Sequence, residues 1–409
     1  MRLGSRLERC EKLIPWLREN GAYISEKLAV ASFPLMGLGV RCRQPVEQFE
    51  VLARIPLKLC IYESLDSVSS SSSSALINDC ELRFKLANRL VAESLKGNRS
   101  RHAFYLRTLP RSFQSLPLLW REERLKSIEG TSLEMEVSTE KRLLLRKFNS
   151  QSNSKRGHHH PHFREEKQQM KRFLWAVGAV KSRMRLLAGH ASLIPFLDLL
   201  NHTDLYSSPP WGSRGCAIVL DRVQDSESEE QAFHLVALAN IASNEQLLID
   251  YSLLSFQSKI QEYGFLDRDS DVRDRYYSLA LHNSNDPHNP LLLSVWRKNL
   301  PVVIQSLVEE DGLDELTIRR MLEERLLVLR HCSNLAQKAM RQGEGMDRDC
   351  RFIYETDVFY TQYCLDNLSA LLSDRDGIEH CQRTEMEEDA QKMAFMSAFS
   401  RHTGLQIEM

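Results

Sequence analysis

The sequence predicts an α+β fold carrying a separate helical domain, and three observations predict it. Strand-like runs gather in two places, 22–62 and 216–251. A long, mainly helical stretch separates them, and the chain beyond about 268 is helical again. Helices segregated from strands in this way argue against alternating βαβ winding. With 409 residues the chain has room for two or three domains. Its 42% hydrophobic content supplies a sizeable core. Lys and Arg number 54 against 55 Asp and Glu, so nothing in the overall charge favours a polyanion, and a nucleic-acid partner is not expected.

The elements follow in order. Leu7, Cys10, Leu13, Ile14 and Leu17 lie at helical spacing and end at Asn20-Gly21, a glycine stop signal. Residues 22–62 are strand-rich, with a Gly37-Leu38-Gly39-Val40 turn and an apolar run at 51–61 interrupted by Pro56. Poly-serine at 66–74 has too little apolar area to offset the entropy of ordering and is expected as a loop. Helical spacing returns over 79–109 through Leu82, Leu86, Leu90 and Leu95. A polar stretch with Pro161, at 149–166, predicts an irregular insertion, and 167–188 a further helix. Strands are expected at 216–222, 233–239 and 246–251, then helices most clearly at 314–342 and 351–373.

Several classes are excluded by what the sequence lacks. The first twenty residues are charged every few positions, which does not suit a signal peptide. No run approaches the ~18–20 apolar residues of a membrane span, so no membrane partner is expected. Nine cysteines are scattered without a CxxC pair, which suits a reducing compartment and offers neither disulfide framework nor zinc site. A soluble cytoplasmic or nuclear protein is the expectation. There is no G-x-S-x-G, HExxH, Walker A or kinase motif.

Four places could carry chemistry. Gly37-x-Gly39 is either a hairpin turn or backbone made bare for a close ligand. Asp198, Asn201 and His202 end an apolar run, either capping a helix or lining a pocket, since buried polar groups need partners. Tyr251 follows a strand, as a packing residue or a functional hydroxyl. The run His158-His159-His160-Pro161-His162 lacks carboxylate and thiolate companions, and no metal is expected there or elsewhere.

Taken together, these segments resemble the SET-domain protein methyltransferases, in the branch typified by the Rubisco large-subunit lysine methyltransferase. That branch also includes ribosomal-protein lysine and actin histidine methyltransferases. GLGV at 37–40 and ARIP at 53–56 are similar to its first SET strands. LANRLVAESLKGNRSRHAFYLRTLP at 86–110, LPLLW at 116–120 and GTSL at 130–133 resemble its helical insertion. Trp175 with Val180-Lys181-Ser182-Arg183 is similar to its "W…SR" helix. LIPFLDLLNH at 193–202, NEQLLIDY at 244–251 and YGF at 263–265 resemble the close of the SET core. DRYYSLALH at 274–282 and VFYTQYCLDNLSALL at 358–372 resemble its helical substrate-binding domain.

The resemblance implies a SET β-fold over 1–267, with a helical insertion at about 63–190, and an all-α substrate-binding domain over 268–409. It implies S-adenosylmethionine as cofactor, lined by Met36, Gly37 and Leu38 and by Asn201 and His202. Tyr251 matches the catalytic tyrosine, while Arg183, Asp198, Tyr263 and Phe265 match substrate-side positions. The implied activity is transfer of a methyl group to a protein lysine, with a non-histone protein expected in preference to a histone and the enzyme a monomer. Histidine as acceptor, or a SET-like scaffold that binds protein without catalysis, are the alternatives. The sequence departs from the family at Ser243-Asn244, where Gly is usual, and at Ser252, Phe256 and Lys259-Ile260. It departs again at Arg185, where an aromatic is common.

Overall fold

The structure, a computed structural model, describes residues 3–34, 36–64, 75–154, 163–187, 189–202, 215–221, 231–251, 256–265, 276–281, 291–296, 313–341, 348–373, 397–403 and 405. In chain order the elements begin with α1 (Leu3–Glu19), β1 (Tyr23–Ile24), β2 (Leu28–Phe33), β3 (Gly37–Cys42), β4 (Val51–Pro56) and β5 (Ile61–Ser64). Then come α2 (Ala75–Leu95), α3 (Ala103–Thr108), α4 (Glu122–Lys126), α5 (Ser132–Ser154) and α6 (Phe163–Arg183). Strands β6 (Arg185–Leu187), β7 (His190–Leu193), β8 (Asn201–His202), β9 (Cys216–Asp221), β10 (Ala232–Ala237) and β11 (Gln246–Ile249) follow. The remainder is α7 (Phe256–Tyr263), β12 (Tyr276–Leu281), β13 (Leu291–Trp296), α8 (Glu315–Arg341) and α9 (Arg348–Ser373). The α+β class is therefore observed.

The chain forms two compact units: Met1–Phe113 with His158–Leu253 and Asp389–Met409, and Gln114–Gly157 with Leu254–Glu388. In the first, α1 ends where its sequence says it should. Gly21 takes φ +92°, and Gly21 and Ala22 N–H return to the Arg18 and Leu17 carbonyls, the bonding of a left-handed glycine cap. The main sheet runs β1-β4-β10-β9-β11-β3-β2, with β8 added beside β11. Strand β10 lies between β4 and β9 and is buried along its whole length, so it reads as a near-continuous apolar run. A smaller sheet, β5-β7-β6, carries the chain past α6.

That smaller sheet corrects one expectation. The helix expected to reach 188 stops at Arg183, and Arg185–Leu187 folds back on His190–Leu193 as a strand. Gly189 at φ +76° allows the reversal. The stretch expected to be irregular over 149–166 is helical at both ends, because α5 continues to Ser154 and α6 begins at Phe163. The poly-serine run at 66–74 and the histidines at 158–160 and 162 lie outside the described residues.

The second unit holds α4, α5, α7, α8, α9 and a hairpin. Trp120, Ile128, Leu133, Val137, Ile260, Cys350 and Ile353 form one core in it. The hairpin pairs Tyr276–Leu281 with Leu291–Trp296, so the C-terminal region expected as all-α contains strands. Aromatic and aliphatic residues on either side of an Asn- and Pro-rich stretch (282–290) favour that pairing. The last helical segment, 397–403, belongs to the first unit. Phe399 and Leu405 are buried there against Val219, Val236 and Leu238, an apolar demand that removes them from the expected C-terminal domain. No described helix is long and apolar enough to cross a membrane.

One buried group makes the first unit sensitive to acid. His102, at the start of α3, is 3% exposed, and Arg101 Nε approaches its Nε2 at 3.0 Å. Burial, then the Arg101 charge, lowers its pKa from 6.5 to about 4. The unfolded chain then takes up the proton first, so stability falls as pH drops from 6.5 towards about 4 and levels off below. The loss is on the order of 3 kcal/mol at most, at ~1.4 kcal/mol per pKa unit. Denaturant midpoints measured across this range should fall for the wild type, and His102→Gln should flatten that part of the curve.

Candidate active site

Three of the expected segments meet around β11, an interior strand of the large sheet. Strand β11 pairs with β3 on one side, Gln246 opposite Arg41 and Leu247 opposite Val40. It also runs parallel to β8, Leu248 opposite Asn201 and Ile249 opposite His202, and to β9 at Ile249 opposite Cys216. Gly37–Gly39, Asn201-His202 and Tyr251 are thereby gathered, although they stand some 160 and 50 residues apart. Asn244, where the family usually has Gly, takes φ +69° at the entry to β11, and asparagine is a side chain that tolerates this left-handed conformation.

Gly37 opens β3 at φ +79°, and a Cβ there would meet nothing within 4 Å. Gly39 is different. A Cβ on it would lie 2.7 Å from the side-chain nitrogens of both Asn201 and Gln246, and 3.0 Å from the Phe33 ring. Asn201 Nδ2 donates to the Leu38 carbonyl at 3.3 Å, while Gln246 Nε2 is buried with no hydrogen-bond partner. Two amides thus converge on a bare stretch of backbone, and one of them has an unused donor, which suits a polar ligand. Met36 stands half exposed at the tip of the β2–β3 hairpin.

Tyr251 is fixed on several sides. Its hydroxyl donates to the Leu200 carbonyl at 2.6 Å, and its own N–H reaches His202 Nδ1 at 3.2 Å. The His202 ring lies 5.1 Å from the Tyr251 ring, and the Arg185 guanidinium stands over that ring at 4.2 Å. In the sequence Arg185 is distinguished only as a departure from the family pattern. The structure makes it a wall of the site, in a cation–π arrangement. Gln246 and Gly39 were also outside the expected set, though both sit inside the motifs that carry the resemblance.

The run from Leu193 to His202 is not the helix end considered from the sequence. Phe196, wholly buried, takes φ +71°, at about 1–2 kcal/mol for a non-glycine residue. That turns the chain into a single 3₁₀ turn, Leu197–Leu199, before the short strand β8. The turn drives Asp198 inward. Its carboxylate accepts from Tyr105 Oη at 2.8 Å and lies 3.4 Å from Arg183 Nη1, which also donates to the Asp198 carbonyl at 2.6 Å. Burial, then Asp198, raises the Tyr105 pKa well above the ordinary phenol range. Burial works against the Arg183 charge, yet Asp198, Tyr105 and Tyr251 outweigh it and hold its pKa above the usual value. Asp198 and Arg183 thus form a buried pair, close enough to Tyr251 for its hydroxyl to act on the Arg183 charge. Of the remaining expected residues, Tyr263 and Phe265 belong to the second unit, their ring centroids 6.2 Å apart across Gly264.

Comparison with known proteins bears on this arrangement. No family model matches the chain. By sequence it is 26% identical, over 271 residues, to the chloroplastic [fructose-bisphosphate aldolase]-lysine N-methyltransferase of Arabidopsis thaliana, covering 65% of this chain and 53% of that protein. It is 24% identical over 230 residues to the actin-histidine N-methyltransferase of Drosophila melanogaster, covering 48% and 40% respectively. The chain thus spans about half, or less, of the curated relatives it matches. Among solved structures, the SET domain of LSMT bound to lysine and AdoHcy aligns at a TM-score of 0.61 with 15% identity, over 89% of this chain and 92% of that one. Rubisco LSMT bound to AdoMet aligns at 0.53 with 17% identity, over 91% and 99%. The chain therefore has the SET-domain fold in the form shown by Rubisco LSMT, with protein methyltransferases among its relatives by sequence.

Proposed function

We propose that this protein is an S-adenosylmethionine-dependent N-methyltransferase acting on lysine in a non-histone protein. The observation that carries the reading is the meeting of the bare Gly37–Gly39 backbone with the Asn201 and Gln246 amides, beside Tyr251, in a SET fold. When bound, S-adenosylmethionine supplies a methyl group carried on a sulfonium cation. The chain's residues would hold it by the Gly37–Leu38 backbone and the Asn201–Gln246 amides, with His202 beside them. The Tyr251 hydroxyl and the Leu200 carbonyl, 2.6 Å apart, put two oxygens side by side, an arrangement suited to a cation or a polarised C–H group. Positioning and electrostatics are what the protein contributes to such a transfer. A lysine acceptor, pKa ≈ 10.4 in water, must arrive neutral, and desolvation with neighbouring positive charge favours that form.

A histidine acceptor is the second reading, supported by the likeness to the actin-histidine N-methyltransferase of Drosophila melanogaster. Such a side chain is already largely neutral at pH 7 and needs no help from the Arg185 charge over Tyr251. One experiment tests both readings. The full chain is titrated with S-adenosylmethionine by calorimetry, then incubated with the labelled cofactor and a cell lysate, and modified residues are located by mass spectrometry. Absence of cofactor binding overturns the enzyme reading, and the modified residue type decides between lysine and histidine.

Gly39→Ala provides a sharper local check. Its Cβ must push aside the Asn201 amide and break that amide's bond to Leu38, so cofactor affinity should fall by about tenfold or more. Wild-type affinity in this variant would remove the two-amide cradle from the cofactor site.

A further inference from the structure

A cavity of about 300 Å³ opens elsewhere in the first unit and shares no residue with the site above. Three of its seven lining residues are arginines: Arg9 of α1, and Arg107 and Arg111 at and beyond the end of α3. Trp175 of α6 supplies an indole, and the others, including Leu109 and Pro110, are aliphatic. No carboxylate lines it. In a chain whose charges balance to −1, three guanidiniums around one hollow are a local excess and not overflow from a basic protein.

The walls are held before any ligand arrives. Trp175 Nε1 donates to the Pro110 carbonyl at 2.8 Å, pinning the indole to the segment that carries Arg111. Arg107 donates to Asn98 Oδ1 at 2.7 Å and stands over the Phe104 ring at 5.5 Å, which leaves most of its donors available. A fourth guanidinium, Arg6, is tied to the Thr108 carbonyl at 2.9 Å. Its pKa is lowered by burial first, then by Arg183, with Cys10 and Asp198 acting against the shift and Arg9 with it. Guanidinium forks match carboxylate and phosphate oxygens, while indole and aliphatic surface match an apolar body.

We propose that this cavity binds a small organic anion, a phosphate or carboxylate joined to an aromatic or aliphatic group. At about 30 Å³ per water-sized volume, the space suits a ligand on the order of ten heavy atoms. A nucleic-acid strand would need cations spread along a surface, whereas these line one hollow. The site does not depend on methyl transfer, and its test uses none.

Phenyl phosphate, titrated into the full chain by calorimetry, is the probe; inorganic phosphate and phenol are the comparators. Phenyl phosphate should bind with Kd of about 0.1–1 mM, at least about tenfold more tightly than either comparator. Arg111→Glu, at an exposed position, should weaken it at least about tenfold without moving the thermal midpoint. Arg351→Glu, at an exposed position in the second unit, should leave binding unchanged. The proposal is overturned if phenyl phosphate binds no more tightly than phosphate and phenol. It is also overturned if Arg111→Glu has no effect, or if Arg351→Glu weakens binding equally.

Discussion

Tyr251→Phe is expected to lower methyl-transfer turnover by about 10²–10³-fold, the usual consequence of deleting one polar group aimed at a transition state. Affinity for S-adenosylmethionine should stay nearly unchanged. The change deletes only the hydroxyl. The ring keeps its neighbours, His202 at 5.1 Å and Arg185 at 4.2 Å, and the main-chain bond to His202 Nδ1 does not involve the side chain. What is lost is the oxygen beside the Leu200 carbonyl, together with a hydrogen bond contributing about 1 kcal/mol. Single-turnover rates set against calorimetric cofactor affinity separate the two roles. A parallel collapse of rate and affinity would make the hydroxyl a structural tie to Leu200. Gly39→Ala should produce the opposite split, weakening affinity first.

The second large effect concerns stability. In the second unit, Asp357 is fully buried and its Oδ2 accepts from Arg325 Nη2 and from the Ser132 N–H, both at 2.6 Å. Arg325 also donates to Ser132 Oγ at 2.7 Å. One carboxylate therefore holds the N-terminus of α5, where negative charge is favoured, and neutralises a guanidinium on α8 that is 4% exposed. Asp357→Ala leaves that guanidinium buried without its counter-charge, at an expected cost of about 3–5 kcal/mol. Replacing both partners with apolar residues, Arg325→Met with Asp357→Leu, should recover much of the loss, since the pair's own net contribution is small. Denaturant unfolding of the full chain, following the transition of the second unit, tests both. Equal losses in the single and double variants would show that packing, and not the orphaned charge, sets the cost.

How far the sequence reaches depends on how local each feature is. Helix α1 and its glycine stop are legible because spacing and cap lie within one stretch. Strands β9, β10 and β11 are legible as apolar runs, with ends shifted by a residue or two. The ordered motifs carried the α+β class and the SET resemblance. The site is less legible. Nothing in a Gly-x-Gly turn says that Asn201 and Gln246 will close on Gly39, because that meeting requires β3, β8 and β11 to find one another across the chain. Arg185 stood out as an unusual residue, yet its place over Tyr251 follows from a strand at 185–187 that helical spacing concealed. The positive φ of Phe196, which turns Asp198 inward, has no local signal, since glycine would be the usual residue there.

The sheet order has a consequence in time. Strand β4, at Val51–Pro56, takes its neighbour β10 from Ala232–Ala237, with helices α2 to α6 made in between. On a ribosome adding about 5–20 residues per second, an early edge must wait on the order of ten seconds for its partner. The β2–β3 hairpin can close early, because its strands are three residues apart. The two-residue strand Asn201–His202 has to be laid beside β11, so it cannot be seated until residue 249 exists. Gly39 is brought to Asn201 and Tyr251 by the β3–β11 pairing, the most distant of the described pairings in the sheet, where loop closure is slowest. Refolding the full chain from denaturant should restore the helical signal well before it restores cofactor binding.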